Sequence, residues 1–217
     1  MAADILWQPP KTGGAAIEKF ADSLVGDGKI DRTDYESIWR WSVADIAEVW
    51  GTWLDYLDLP FDGDPEPVLA SIQMPGAQWF PNLKLNYAEA MLRMPGRSND
   101  DVVVISRSQS RPEVRLTAAE LRDQVARARA GLQRAGVGHG DRVVAYSPNI
   151  PETLVLLLAA ASLGAIFSSC APEFGTQSVI DRWSQIEPTV LLAVDGYQYG
   201  DKAIDRSPCG TGTSARL

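Results

Sequence analysis

Three short apolar runs between residues 141 and 195 constrain the fold more than any other feature of this chain. They are Val143–Tyr146, Ala165–Phe167 and Val190–Val194. Each has the length of a strand, and none alternates strictly between apolar and polar. That pattern belongs to strands buried on both faces. Two segments of helical length separate them, and a β-α-β-α-β order is solved by a parallel sheet with covering helices. Pro151 suits a first helical turn, where its missing N–H has no partner. Glu152 complements the positive end of the helix dipole, and Gly164 suits the residue just past the end. Leu154–Ala161 is apolar on every side, which predicts a helix buried all round. The second helix starts near Thr176, with Val179, Trp183 and Ile186 on one face, and Pro188 stops it.

Upstream of this unit the pattern is helical. Prolines and glycines make residues 1–32 mostly irregular, with a short helix at Ala15–Ser23. Thr33-Asp-Tyr-Glu36 and, with Asp replacing Glu, Ser42-Val-Ala-Asp45 have the form of capping boxes and mark two helix starts. Val43, Ile46, Ala47, Trp50, Trp53, Leu54 and Leu57 then follow at amphipathic spacing. Trp39, Trp41, Trp50, Trp53 and Tyr56 could form an aromatic ligand surface, but at helical spacing they read as packing. Leu59–Gly76 is rich in prolines and reads as a loop. Asn86-Tyr-Ala-Glu89 caps a helix ending by Pro95, and the polar stretch Pro95–Asp101 reads as a boundary. Val102–Ser106 is a strand with Glu113–Leu116 as its hairpin partner. Thr117-Ala-Ala-Glu120 opens a helix that places Leu121, Val125, Ala128 and Leu132 on one face. Beyond Asp205 the chain reads RSPCGTGTSARL, without apolar periodicity. The expectation is a natural frame ending near Asp205 and a disordered tail over 206–217.

The fold expected is therefore α/β: a helical N-terminal lead-in followed by part of a doubly wound, mainly parallel sheet. Its divisions are a helical extension over 1–95, a partial domain over 96–205, and the tail. The net charge of −8 argues against nucleic acid or an anionic membrane as partner. Leu154–Phe167, at 14 residues, is too short for a membrane span. Cys170 and Cys209 do not form a disulfide framework, and no charged-then-apolar leader opens the sequence. A reduced, cytoplasmic protein is expected.

The search for chemistry is mostly negative. His139, the only histidine, is flanked by glycines in a turn and lies far in sequence from both cysteines, so no metal cluster can be built on it. No Gly-x-Ser-x-Gly elbow and no Gly-x-x-x-x-Gly-Lys-[Ser/Thr] loop occurs. Cys209-Gly-Thr-Gly-Thr-Ser214 imitates a nucleotide loop but lacks a following Lys. What remains is position: open parallel sheets bind ligands beyond the carboxyl ends of their strands. Those ends are Ser147–Asn149, Ser168–Gly175 and Asp195–Tyr199, and by composition alone they could equally be ordinary turns.

At these loops the sequence resembles a known family, the adenylate-forming acyl-CoA synthetases, and within it the acetoacetate-activating branch. The resemblance rests on Asp141-Arg-Val-Val-Ala-Tyr-Ser-Pro-Asn-Ile-Pro-Glu-Thr153 followed by Gly164-Ala165. It continues in Trp79-Phe-Pro-Asn-Leu-Lys-Leu-Asn-Tyr-Ala-Glu89, Ser168-Ser-Cys-Ala-Pro-Glu-Phe-Gly175, Asp181-Arg-Trp-Ser-Gln-Ile-Glu-Pro188 and Asp195-Gly-Tyr-Gln-Tyr-Gly200, and covers residues 5–205. It implies ligation of acetoacetate to coenzyme A, with ATP and Mg2+, through an acyl-adenylate. It further implies a CoA channel along Ala171, Pro172, Glu173, Phe174 and Gly175, with Tyr197, Tyr199 and Lys202 nearby and Lys202 meeting a CoA phosphate. Spacing alone leaves Lys202 open between that role and a solvated surface lysine. No catalytic residue and no metal ligand is carried over. The family's phosphate loop, aromatic-Thr-Glu motif, ribose-binding Asp and catalytic Lys are not among these residues. The resemblance thus implies the N-terminal portion of a ligase roughly three times as long. By itself this portion should be inactive and bind none of those cofactors productively. Two other readings stay open: part of an acetate or propionate ligase, and a non-catalytic α/β protein that binds CoA or a partner.

Overall fold

A computed structural model describes residues 14–108, 111–199 and 202–205. The tail over 206–217 and Cys209 lie outside the described residues. The chain divides into two compact units, Met1–Lys84 and Leu85–Leu217.

The first unit opens with α1 (Ala16–Gly26), α2 (Tyr35–Ala44) and α3 (Ile46–Leu57). The helix expected at Ala15–Ser23 is present and extends further. It buries Phe20, Ala21 and Leu24. Both cap assignments shift. Asp34, not Thr33, starts α2, its carboxylate accepting the Ser37 N–H at 2.8 Å. Ser42 lies inside α2 and donates back to the Trp39 carbonyl at 2.9 Å. The chain then breaks at extended Asp45 (φ −141°), which accepts the Glu48 N–H at 2.9 Å and starts α3. In both places a carboxylate wins over the hydroxyl written nearby, and both residue types are good caps.

The aromatic cluster is packing. Phe20 stacks on Trp53 at 3.8 Å and meets Tyr56 edge-on at 4.8 Å, with buried Trp41 beside it. Glu48 accepts from Lys29 at 2.8 Å and from the Trp41 indole at 3.2 Å. Residues 59–76, expected as a loop, contain β1 (Phe61–Gly63) and β2 (Leu69–Ser71). With β3 (Gln78–Trp79) and β4 (Leu83–Leu85) they form the ribbons β1–β4 and β2–β3. Gly63 permits the first: at φ +97° it brings Asn82 so close that a Cβ would stand 2.1 Å from the carbonyl oxygen.

The second unit begins with α4 (Tyr87–Arg93), capped by Asn86 as expected. The antiparallel hairpin of β5 (Val102–Ser106) and β6 (Val114–Thr117) follows, then α5 (Ala118–Arg134) with its full Thr117/Glu120 capping box. Next come β7 (Arg142–Tyr146), α6 (Pro151–Ser162), β8 (Ile166–Cys170), α7 (Thr176–Trp183) and β9 (Val190–Ala193). These three strands form the expected parallel sheet in the order β8-β7-β9. Successive β7 side chains point to opposite faces. Val143 and Ala145 join the core made with α5 and α6, including Leu121, Val125 and Val155. Val144 joins Cys170, Val179 and Trp183 beneath α7, with Tyr146 packed against them. Val143, Val144 and Ala145 are each 0% exposed, because both faces are covered. Helix α6 buries Val155, Leu156, Leu158, Ala159 and Ala160, matching its apolar circumference. Beyond it Gly164 takes φ +68°, where a Cβ would come within 2.6 Å of the His139 ring. A hairpin that the apolar pattern does not predict closes the described chain: β10 (Gly196–Tyr199) paired antiparallel with β11 (Lys202–Asp205). Among the described residues no helix is long and apolar enough to cross a membrane.

Candidate functional site

Helices α6 and α7 cover opposite faces of the sheet, and the strands they lead to, β8 and β9, flank β7 on either side, so the carboxyl edge of β7 is a topological switch point. Open sheets form a crevice there. A cleft of about 500 Å³ lies at that edge. Its walls are Pro148–Ile150 after β7, Pro172 and Glu173 after β8, and Val194–Gln198 after β9. Arg107, Ser108 and Arg111, from the β5–β6 connection, close the remaining side. The volume is in the range of small-molecule sites.

The floor is built by main-chain pairing carried past the strand ends. The Ser147 N–H donates to the Cys170 carbonyl at 3.1 Å, and the Val194 N–H donates to the Tyr146 carbonyl at 3.0 Å. The Thr153 hydroxyl donates to the Pro148 carbonyl at 2.9 Å and lies 2.7 Å from the Ser147 hydroxyl. Thr153 has a single proton, so Ser147 supplies the one between them. That bond satisfies Ser147, 4% exposed, and fixes the bend into α6.

Both arginines at the mouth are held by carboxylates. Arg111 grips Glu152 through both terminal nitrogens, at 2.8 and 3.3 Å. Glu113 sits between Arg107 at 2.7 Å and Arg115 at 2.6 Å. The hydrogen bond from Arg111 holds the Glu152 carboxyl below its usual range, against partial desolvation. A depressed carboxylate contributes stability above its unfolded pKa and loses it as pH falls through its folded value. Acidification through that lowered folded value is therefore expected to release Arg111 from the cleft mouth. A proton NMR titration of the Arg111 side chain reads this directly, and an unchanged resonance at still lower pH would contradict it.

The structure gathers part of the residue set expected from sequence. Pro172, Glu173 and Tyr197 line the cleft. Ala171 is half-buried, and Phe174 turns aside, with the Arg182 guanidinium 4.7 Å above its ring. Gly175 is the extended N-cap residue of α7. Tyr199 and Lys202 are register partners at the closed end of the β10–β11 hairpin. Sequence reasoning missed Arg107 and Arg111, although Arg107-Ser-Gln-Ser-Arg111 is visibly basic. Nothing local said that the hairpin would carry it to the sheet's carboxyl edge. The lining named above contains no His, Cys or Lys; its polar side chains are Arg107, Ser108, Arg111, Asn149, Glu173, Asp195, Tyr197 and Gln198. A groove of about 460 Å³ near Met91, Met94, Val102 and Leu154 is mainly apolar and has fewer groups to orient a ligand.

Comparison with known proteins adds the following. The family model described as AMP-binding enzyme matches residues 93–213, and that of the acetyl-coenzyme A synthetase N-terminus matches residues 35–91. An acetoacetyl-coenzyme A synthetase of Rhizobium meliloti (strain 1021) is 39% identical over 172 residues, 79% of this chain and 26% of that protein. The acetoacetyl-CoA synthetase of Gallus gallus is 31% identical over 207 residues, 93% of this chain and 30% of that protein. The solved acetoacetyl-CoA synthetase from Streptomyces lividans superposes with a TM-score of 0.83 at 42% identity, over 88% of this chain and 30% of that one. The chain thus spans under a third of the length of these relatives.

Proposed function

Because the chain belongs to the AMP-binding enzyme family, we propose that it supplies the N-terminal part of a cytoplasmic acid–thiol ligase joining acetoacetate to coenzyme A. In this reading a carboxylate oxygen of acetoacetate attacks the α-phosphorus of Mg2+-bound ATP, and pyrophosphate leaves. The CoA thiol then attacks the acyl carbon of the adenylate, the thioester forms, the thiol proton is lost and AMP departs. The observation that carries the proposal is the match to the Streptomyces lividans acetoacetyl-CoA synthetase over 88% of this chain.

The cleft at the carboxyl edge is the proposed CoA channel, with Ala171–Gly175 as one wall and Tyr197, Tyr199 and Lys202 along the hairpin. Its size and mixed polar lining support this. The family resemblance implies a phosphate contact for Lys202, where a cation would make a charge-assisted bond. Residues 1–95 are the proposed helical extension and 96–205 the first part of the adenylate-forming domain. No Ser/Thr/Gly-rich loop ending in Lys occurs in these 217 residues. Positioning and neutralising phosphates supplies most of the catalysis in such transfers. The chain alone is therefore expected to form no AMP.

The test is a chimera in which residues 14–205 replace the matching segment of the Streptomyces lividans enzyme. It should release AMP and pyrophosphate in the presence of acetoacetate, ATP and CoA, while the isolated chain releases none. A chimera that folds and stays inactive overturns the proposal.

A further inference from the structure

We propose that Tyr146 is a positioning residue for the thiol substrate: its hydroxyl clamps the Ala171–Gly175 turn and thereby sets one wall of the cleft. This rests on the reading of that cleft as the CoA channel.

Tyr146 ends the central strand and is the register partner of Cys170, the last residue before the turn. The chain reverses there, with the Phe174 N–H donating to the Ala171 carbonyl at 3.1 Å. The phenol oxygen lies 2.8 Å from the Pro172 carbonyl and also within hydrogen-bonding range of the Phe174 carbonyl. Two carbonyls two residues apart converge on one hydroxyl, which donates its single proton between them. The Pro172 side chain is fully buried, and Glu173, between the two carbonyls, is left exposed on the cleft wall. Carboxylate and clamp therefore lie on consecutive peptide units.

Packing alone does not call for a hydroxyl at this position. The ring stands edge-on to Trp183 at 6.3 Å and adjoins an apolar cluster with Val144, Val179 and Leu191, where phenylalanine would fill the same volume. The oxygen's partners all belong to the turn. Arg182 over the Phe174 ring braces the far side of the turn from α7, whereas Tyr146 ties it to the middle strand of the sheet. The sheet thus holds the turn, as a preformed binding wall requires.

The test is Tyr146→Phe, which keeps the ring and removes the donor. In the full 217-residue chain, hydrogen exchange of the amides of residues 173–175 should quicken about three- to tenfold, the share of one hydrogen bond. With the other six tryptophans replaced, emission of Trp183 should not change. In the active chimera, KM for CoA should rise by about the same factor. The CoA-independent exchange of pyrophosphate into ATP should be unaffected. Unchanged amide exchange overturns the clamp, whatever the cleft binds. Faster exchange with an unmoved KM for CoA overturns the role in thiol binding, and with it the assignment of the channel. A parallel loss of pyrophosphate exchange shows Tyr146 to be merely structural.

Discussion

Val144→Asp is expected to unfold the sheet of the second unit. Val144 is 0% exposed in the middle strand, with Ser168 and Leu191 as its register partners on either side. Below it pack Cys170, Val179 and Trp183, a surface with no cation to meet a carboxylate. A buried unpaired charge costs several kcal/mol even after it protonates. About 5 kcal/mol here would consume much of the stability of an ordinary domain. Trp183 is the one tryptophan in residues 85–217, so its emission reports the loss when the other six are replaced. Val144→Ala, which removes only methyl groups, should cost about 2 kcal/mol and leave the unit folded. A native Trp183 signal in Val144→Asp would show that β7 is not the centre of the core.

Phe20→Ala should destabilise the first unit by about 3–5 kcal/mol. The ring is 1% exposed, stacked on Trp53 at 3.8 Å and met edge-on by Tyr56 at 4.8 Å. Aromatic pairs add about 0.5–1.5 kcal/mol each beyond the area they bury. Few substitutes exist, because the three helices of this unit share a small core: Phe20, Leu24, Ile30, Trp41 and Val49. Denaturant unfolding followed through Trp41 and Trp53 measures the effect, and a midpoint within error of the parent would refute the packing account of these aromatics.

Much of the second unit was legible because its signals are local. Apolar runs mark strands buried on both faces, Pro151 and Gly164 bracket α6, and the Thr117 box starts α5 where its spacing says it should. The strand order β8-β7-β9 was not legible, since a run such as Val190–Val194 carries no record of which side of β7 it joins. The first unit was read less well. Strands of two or three residues, half of them exposed, are too short to show a period of two, so β1 and β2 were hidden in a proline-rich stretch. Caps slipped for a related reason: Thr33 and Asp34 are adjacent good candidates, and main-chain geometry chooses between them. At the cleft, the loops following the strands could be named from sequence. The hydroxyl of Tyr146 could not, because its partners lie 26 and 28 residues downstream.

The central place of β7 also bears on how the chain is made. It is the first of the three parallel strands to leave the ribosome, yet the other two both add to it. Each later strand therefore finds its template already synthesised, first β8 through α6 and then β9 through α7. Neither β8 nor β9 waits for a partner still to be translated. Parallel pairing is slow because distant segments have to meet before anything rewards the closure. A sheet that grows outward from its oldest strand keeps each such closure as short as one crossover allows for β8, and two for β9.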